Sequence, residues 1–224
     1  MNADALAAHN DQIAVCRACP RLVAWREDVA RDKRRMYADW EYWGKPVPGF
    51  GDPGARLLVV GLAPAAHGGN RTGRIFTGDR SGDWLYGAMY RAGFANQPTS
   101  VHRDDGLELM DAYVCAVVRC APPDNKPTPV ERDTCVPYLA RDFELLTNVQ
   151  VVIALGGFAA DAVGKLAGLS KRVKLGHGAE SKLPDGKTLL CSYHPSQQNT
   201  FTGRLTQPMF DSVFNRANEL IQGR

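Results

Sequence analysis

No apolar run in this 224-residue chain approaches the ~20 residues that cross a bilayer as a helix, which excludes a helical membrane span. The opening residues, MNADALAAHNDQIAV, lack a basic start followed by an apolar stretch and a small-residue cleavage site. No secretory signal is read there, no membrane partner is expected, and a cytoplasmic location follows. Excess charge is scarce as well: a net of +3 singles out no partner by itself. Internal repeats and low-complexity tracts are missing, so the chain reads as one domain, 1–224, with insertions. Without signs of secretion its six cysteines are not expected in disulfides and must have another use.

What is present is the balance of an ordinary globular protein, 44% hydrophobic and 23% charged. The charge is uneven. Lys165, Lys171, Arg172, Lys174, Lys182 and Lys187 crowd a segment with few acids, and Arg71, Arg74 and Arg80 crowd another. Such local fields suit a polyanion, although solvated surface accounts for them equally well. Four short runs rich in valine, isoleucine and leucine stand out: RLLVVGLAP (56–64), AYVCAVVRC (112–120), VQVVIALGG (149–157) and TLLCSYHP (188–195). Each is nearly continuous in apolar residues and closed by glycine, proline or a polar turn, as strands buried on both faces are.

Helical spacing predicts helices over 81–94, 158–168 and 208–221, and another beginning at Pro20. The clearest start is TPVERDTC, where Thr128 caps, Pro129 occupies the first turn and Glu131 completes a capping box for a helix running to about Leu146. Strands alternating with helices imply an α/β fold with a parallel sheet covered on both sides. In such sheets ligands sit beyond the carboxyl ends of the strands. Residues 23–55 read as a polar insertion in which Trp25, Tyr37, Trp40, Tyr42 and Trp43 surround Lys33, Arg34 and Arg35.

Cys115 and Cys191 fall inside strand runs, where cysteine is most often a small apolar residue. Cys16 and Cys19 form C-x2-C, and Cys120 and Cys135 form C-x14-C at the end of one strand run and within the next helix. Four soft ligands from two segments suit zinc or an iron–sulfur cluster; unrelated free thiols are the plain alternative. The wide split of the second pair favours [4Fe-4S] over a zinc ribbon, in an ordering role, because no second redox centre is apparent.

The loop GLAPAAHGGNRTGRIFTGD (61–79) follows the first strand run. Its glycines allow close backbone approach to a ligand, and Phe76 offers a face for a planar ring. The Walker order of glycines, lysine and hydroxyl is absent. The last strand run ends in HPSQQNTFTGRLTQP (194–208), placing His194 at a carboxyl end, where it serves a site or merely caps a turn.

The two loops, with the four cysteines in this order, resemble the uracil-DNA glycosylase superfamily and most closely its iron–sulfur family 5, the type B enzymes. The resemblance spans Cys16 to about Gln207. It implies a three-layer α/β/α sandwich around a four-stranded parallel sheet, and an enzyme that removes uracil and other deaminated or damaged bases, such as hypoxanthine and ethenocytosine, from DNA. A monomeric enzyme is expected, and a monofunctional one because no lysine stands in a motif that would form a Schiff base. The nucleotide would be extruded, its base against Phe76 beside Gly61 and Ala63, with Asn125 reading the base edge.

Breaking the glycosidic bond leaves an oxocarbenium-like sugar and an anionic base, so donors are needed at the base and negative charge near the sugar. His194 is the expected donor, Asp79 the carboxylate, and Asn199 positions water or deoxyribose. Apart from the resemblance, Asp79 reads as an ordinary turn residue. Many relatives carry an acidic or amide side chain where this chain has Leu62-Ala63-Pro64, which favours a dissociative reaction and a broader base range. Arg71, Arg74, Arg204 and the lysines of 171–187 are candidate phosphate contacts, and Leu205 is the candidate wedge into the emptied stack. A non-catalytic iron–sulfur module that binds nucleic acid is the competing reading, and it leaves Phe76, Asp79 and the histidine loop unexplained.

Overall fold

The computed structural model describes residues 2–169 and 176–223. Lys171, Arg172 and Lys174 lie outside the described residues. Two helices, α1 (Asn2–Ala14) and α2 (Pro20–Asp32), precede a short strand β1 (Phe50–Gly51). Residues 23–32 of the aromatic-rich stretch therefore continue α2, and a 3-10 turn (Arg35–Tyr37) follows. The rest of the chain alternates: β2 (Leu57–Gly61), α3 (Gly69–Thr72), α4 (Arg80–Arg91), β3 (Ala112–Ala116), α5 (Pro129–Leu145), β4 (Val151–Leu155) and α6 (Gly157–Leu166). It closes with β5 (Glu180–Lys182), β6 (Thr188–Ser192), α7 (Gln197–Phe201) and α8 (Gln207–Gln222).

The sheet order is β1-β3-β2-β4-β6-β5, and the four inner strands are parallel. The expected four become six because β1 and β5 add antiparallel edges of two and three residues. Neither has an apolar run to betray it. Every residue of β2, β3, β4 and β6 is buried, and alternation sends successive side chains to opposite layers. Leu57 and Val59 meet Leu85, Met89, Phe210 and Phe214 of α4 and α8; Leu58 and Val60 meet Leu139 and Val163 of α5 and α6. Two filled faces explain why these strands read as continuous apolar runs.

From β2 the chain moves to β3 on one side, then to β4 on the other. A crevice opens at that reversal, beyond the carboxyl ends. Caps fix the helix starts around it. Thr128 and Glu131 form the full capping box of α5, Ser196 caps α7 through Asn199 N, and Asp79 caps α4 through Gly82 N.

Candidate active site

At the end of β2 the ring of Phe76 lies directly on the backbone. A Cβ at Gly61 would fall 2.6 Å from Phe76 Cζ, so only glycine leaves the ring its seat. Phe76 itself has φ +51°, a left-handed conformation that a bulky side chain adopts only when its surroundings impose it. Part of that imposition is the Tyr86 hydroxyl, which donates to the carbonyl of neighbouring Ile75 at 2.9 Å. The ring stands 5.9 Å from the imidazole of His194, tilted by 33°.

Asp79 is held from two sides. Its Oδ1 accepts from Gly82 N at 3.0 Å, and its Oδ2 rests on Gly68, where a Cβ would lie 2.0 Å away. Burial raises its carboxyl above the usual range, against the Gly82 and Ser81 amides, which favour the ionised form. His194 follows β6, and burial pushes its imidazole down to about 4, so it is neutral at physiological pH. Asn199 Nδ2 donates to the carbonyl of His194 at 2.9 Å. That bond orients the histidine loop and places Asn199 behind His194, where the expected partner was water or sugar.

The crevice encloses about 760 Å³ and is lined by Ala63, Phe76, Asp79, Asn125 and His194. Asp124 and Asn125 both take positive φ, +53° and +54°, in the tight turn after β3 that presents them to the crevice. Arg34, Tyr37, His67 and Arg80 also line it. The sequence signalled them only as a basic, aromatic stretch and a histidine among glycines. His67 Nδ1 meets the Tyr42 hydroxyl at 3.0 Å, and burial, with Arg34 and Arg71 nearby, lowers its pKa.

Three expected DNA contacts stand elsewhere. Arg71 is buried, its guanidinium carbon 4.0 Å from the ring centroids of both Tyr37 and Trp40, and it donates to the carbonyls of His67 and Gly78. Arg74 is buried against Asp105 at 2.8 Å and donates to Ser100 and Thr77. Leu205, the expected wedge, is fully buried in the α4–α8 core. Sequence spacing does not reveal a carboxylate or ring that folding brings from far along the chain. Arg204 is exposed, its guanidinium 4.7 Å above the Tyr193 ring, and Phe201, 65% exposed, carries the Arg80 guanidinium at 4.3 Å.

Cys16, Cys19, Cys120 and Cys135 line one small pocket beside Arg26 and Arg119. Arg26 Nη1 donates to Cys120 Sγ at 2.9 Å, and the Arg119 backbone N–H donates to Cys135 Sγ at 3.3 Å. Burial pushes the Cys120 and Cys135 thiols up to about 11 and about 12. Among the described residues no group of three or more histidine, cysteine or acidic side chains is spaced to hold a single metal ion. By its chemistry, a donor set of four thiols with N–H groups aimed at sulfur suits a sulfur-ligated inorganic core.

Over residues 48–218 the chain matches the family model described as "Uracil DNA glycosylase superfamily". The Type-5 uracil-DNA glycosylase of Mycobacterium bovis is 56% identical over 214 residues, covering 94% of this chain and 80% of that protein. The protein of the same description from Mycobacterium leprae is 55% identical over 214 residues, 94% of this chain and 93% of the relative. That of Thermus thermophilus is 51% identical over 209 residues, 93% and 94% respectively.

Proposed function

The chain belongs to the uracil DNA glycosylase superfamily, and from that premise we propose that it hydrolyses the N-glycosidic bond of uracil in DNA and so initiates base excision repair. The observation that carries this reading is the convergence of Phe76, Asp79, Asn125 and His194, from separate chain segments, on one crevice. An extruded base lies with its face on Phe76 and its edge on the Asn125 amide, which offers both a donor and an acceptor.

The electrons of the breaking bond pass to the base, and the sugar C1′ becomes cationic. A neutral His194 has one N–H to give, and it donates to the base oxygen that gathers negative charge. The Asp79 carboxylate opposes the sugar cation and accepts the proton of the attacking water, whose oxygen bonds to C1′. Its burial-raised pKa makes it a better base than an exposed aspartate. The role of Asn199 is to position His194 through its carbonyl. No polar side chain crowds the base at Leu62-Ala63-Pro64, which supports purine lesions such as hypoxanthine, and ethenocytosine, as further substrates.

Exposed Arg204, with Arg34 and Arg80 at the crevice rim, takes the phosphates. With Leu205 in the core, Phe201 is the apolar group available to fill the gap left by the flipped base. The four cysteines would hold a [4Fe-4S] cluster, whose contribution when bound is to cross-link α2 to α5 and the segment after β3.

The test is release of free base from uracil-containing duplexes. His194→Ala and Asp79→Asn are each expected to lower it by about 10²- to 10⁴-fold with DNA binding retained. Should neither substitution slow excision by about tenfold, these roles are wrong; a wild-type protein that releases no base would remove the reading altogether. Brown colour, with iron and acid-labile sulfide in the purified protein, tests the cluster separately.

A further inference from the structure

Two guanidinium groups are sunk into the wall of the cysteine pocket, and their surroundings differ. Arg119, 1% exposed, forms an ion pair with the buried carboxylate of Asp142, which also meets His9. Arg26, 2% exposed, has no such partner. Its nearest carboxylate, Glu27, is 3.9 Å away, half exposed and already engaged by Arg17. Arg26 Nη2 donates to the carbonyl of Cys16 at 3.1 Å, Nη1 donates to Cys120 Sγ, and Nε has no partner. A buried cation is tolerated only opposite negative charge. Besides that exposed carboxylate, Arg26 faces the Cys16 carbonyl and the Cys120 sulfur, so the buried negative charge within its reach is that of the sulfur site.

The backbone of the same residue points the other way. The carbonyl of Arg26 accepts from Asn70 Nδ2 at 3.1 Å, both atoms being buried. Asn70 belongs to α3, the turn between Gly68, on which Asp79 rests, and Phe76. In turn its carbonyl accepts from Gly44 N at 3.0 Å, tying in the aromatic segment. One residue of α2 thus touches both the cysteine site and the loop that seats the carboxylate.

We propose that Arg26 is a two-ended positioning residue: its guanidinium compensates the negative charge of the sulfur-ligated site at Cys120, and its carbonyl, through Asn70, holds the loop that carries Asp79. The inference rests on the reading of the four cysteines as cluster ligands and of Asp79 as part of the active site. It assigns the charge on Arg26 a purpose apart from packing, and gives its backbone a second one at the loop.

The experiment uses the cluster-loaded protein and its Arg26→Gln, Arg26→Lys and Asn70→Ala variants. It reads iron and sulfide per chain, the reduction potential, amide exchange over residues 67–79, and kcat and KM on a uracil duplex. An Arg26→Gln protein that is loaded with iron is expected to show a lower potential, since an added electron loses a nearby positive charge. Arg26→Lys should keep its iron and a potential near that of wild type. In Asn70→Ala the potential should stay at the wild-type value while the amides of 69–72 exchange about three- to tenfold faster and kcat falls with KM little changed.

A fully loaded Arg26→Gln protein with the wild-type potential overturns the proposal, as does an Asn70→Ala loop that exchanges at the wild-type rate. Loss of iron from the glutamine variant alone supports it, because charge then decides retention; loss from both Arg26 variants overturns it. If the glutamine variant does not fold, Arg26→Met, neutral and of similar length, takes its place on the same two readouts. A wild-type protein without iron or sulfide refutes the cluster reading instead, and that result is distinguishable from any of these.

Discussion

His194 is kept neutral by the place where the chain puts it. Burial takes the imidazole from an ordinary value of 6.5 to about 4. The sign for stability follows from linkage. Between those two values the unfolded chain binds a proton at this position and the folded chain does not, so acidification through that window favours unfolding. The contribution is level above 6.5 and again below about 4. Thermal unfolding of wild type and His194→Gln from neutral pH down to about 4 is therefore expected to show a smaller acid-induced loss in the variant. In the pH profile of kcat no inflection near 6.5 should belong to His194, and one that vanished in His194→Gln would mean that the imidazole titrates normally. Asp79 is the opposite case: its raised pKa makes carrying the charge costly to the fold as pH rises, a cost consistent with a working carboxylate.

At the level of elements, the same kind of local device serves two purposes. Thr128 with Glu131 closes the start of α5 without lining the crevice, whereas Asp79 closes α4 and also faces it. Thr128→Ala should cost about 1 kcal/mol of stability and leave kcat unchanged. Gly61→Ala should do the reverse in emphasis. The added methyl meets the Phe76 ring at 2.6 Å, and overpacking costs about 1–3 kcal/mol while the ring shifts off its seat and base release falls. Denaturant melts beside single-turnover rates separate the two. The capping box was legible in TPVE because a cap is a contact between near neighbours. β1 and β5 were not legible, because a two- or three-residue edge strand is defined by its partner rather than by its own composition.

Over the whole molecule, the arginines divide into those that hold the protein together and those that meet solvent. Arg74 is locked to Asp105, so Arg74→Ala should destabilise the fold by about 3–5 kcal/mol and leave the salt dependence of DNA binding unchanged. Arg204 stands free of carboxylates among the described contacts, stacked on Tyr193. Arg204→Ala should leave stability nearly unaltered and lower the slope of log affinity against log salt by roughly 1. Binding titrations at several salt concentrations, with melting temperatures, test both. An equal loss of slope from Arg74→Ala would mean that the buried ion pair opens to bind DNA.

Residue order alone was enough for the four parallel strands, the helices α2, α4, α5, α6 and α8, the family, and Ala63, Phe76, Asp79, Asn125 and His194 among the residues that meet at the crevice. Those features are written in runs, caps and contiguous loops, where the deciding contacts lie within a few residues of each other. Folding decided the rest. It took Arg71 onto the rings of Tyr37 and Trp40, Arg74 to Asp105 and Leu205 into the core, and it left Phe201 at the surface. It also turned Asn199 onto a carbonyl and set Arg26 between a sulfur and Asn70. A side chain's charge and shape are given by its identity, but whether a partner waits for it depends on distances between segments that only the packed chain defines.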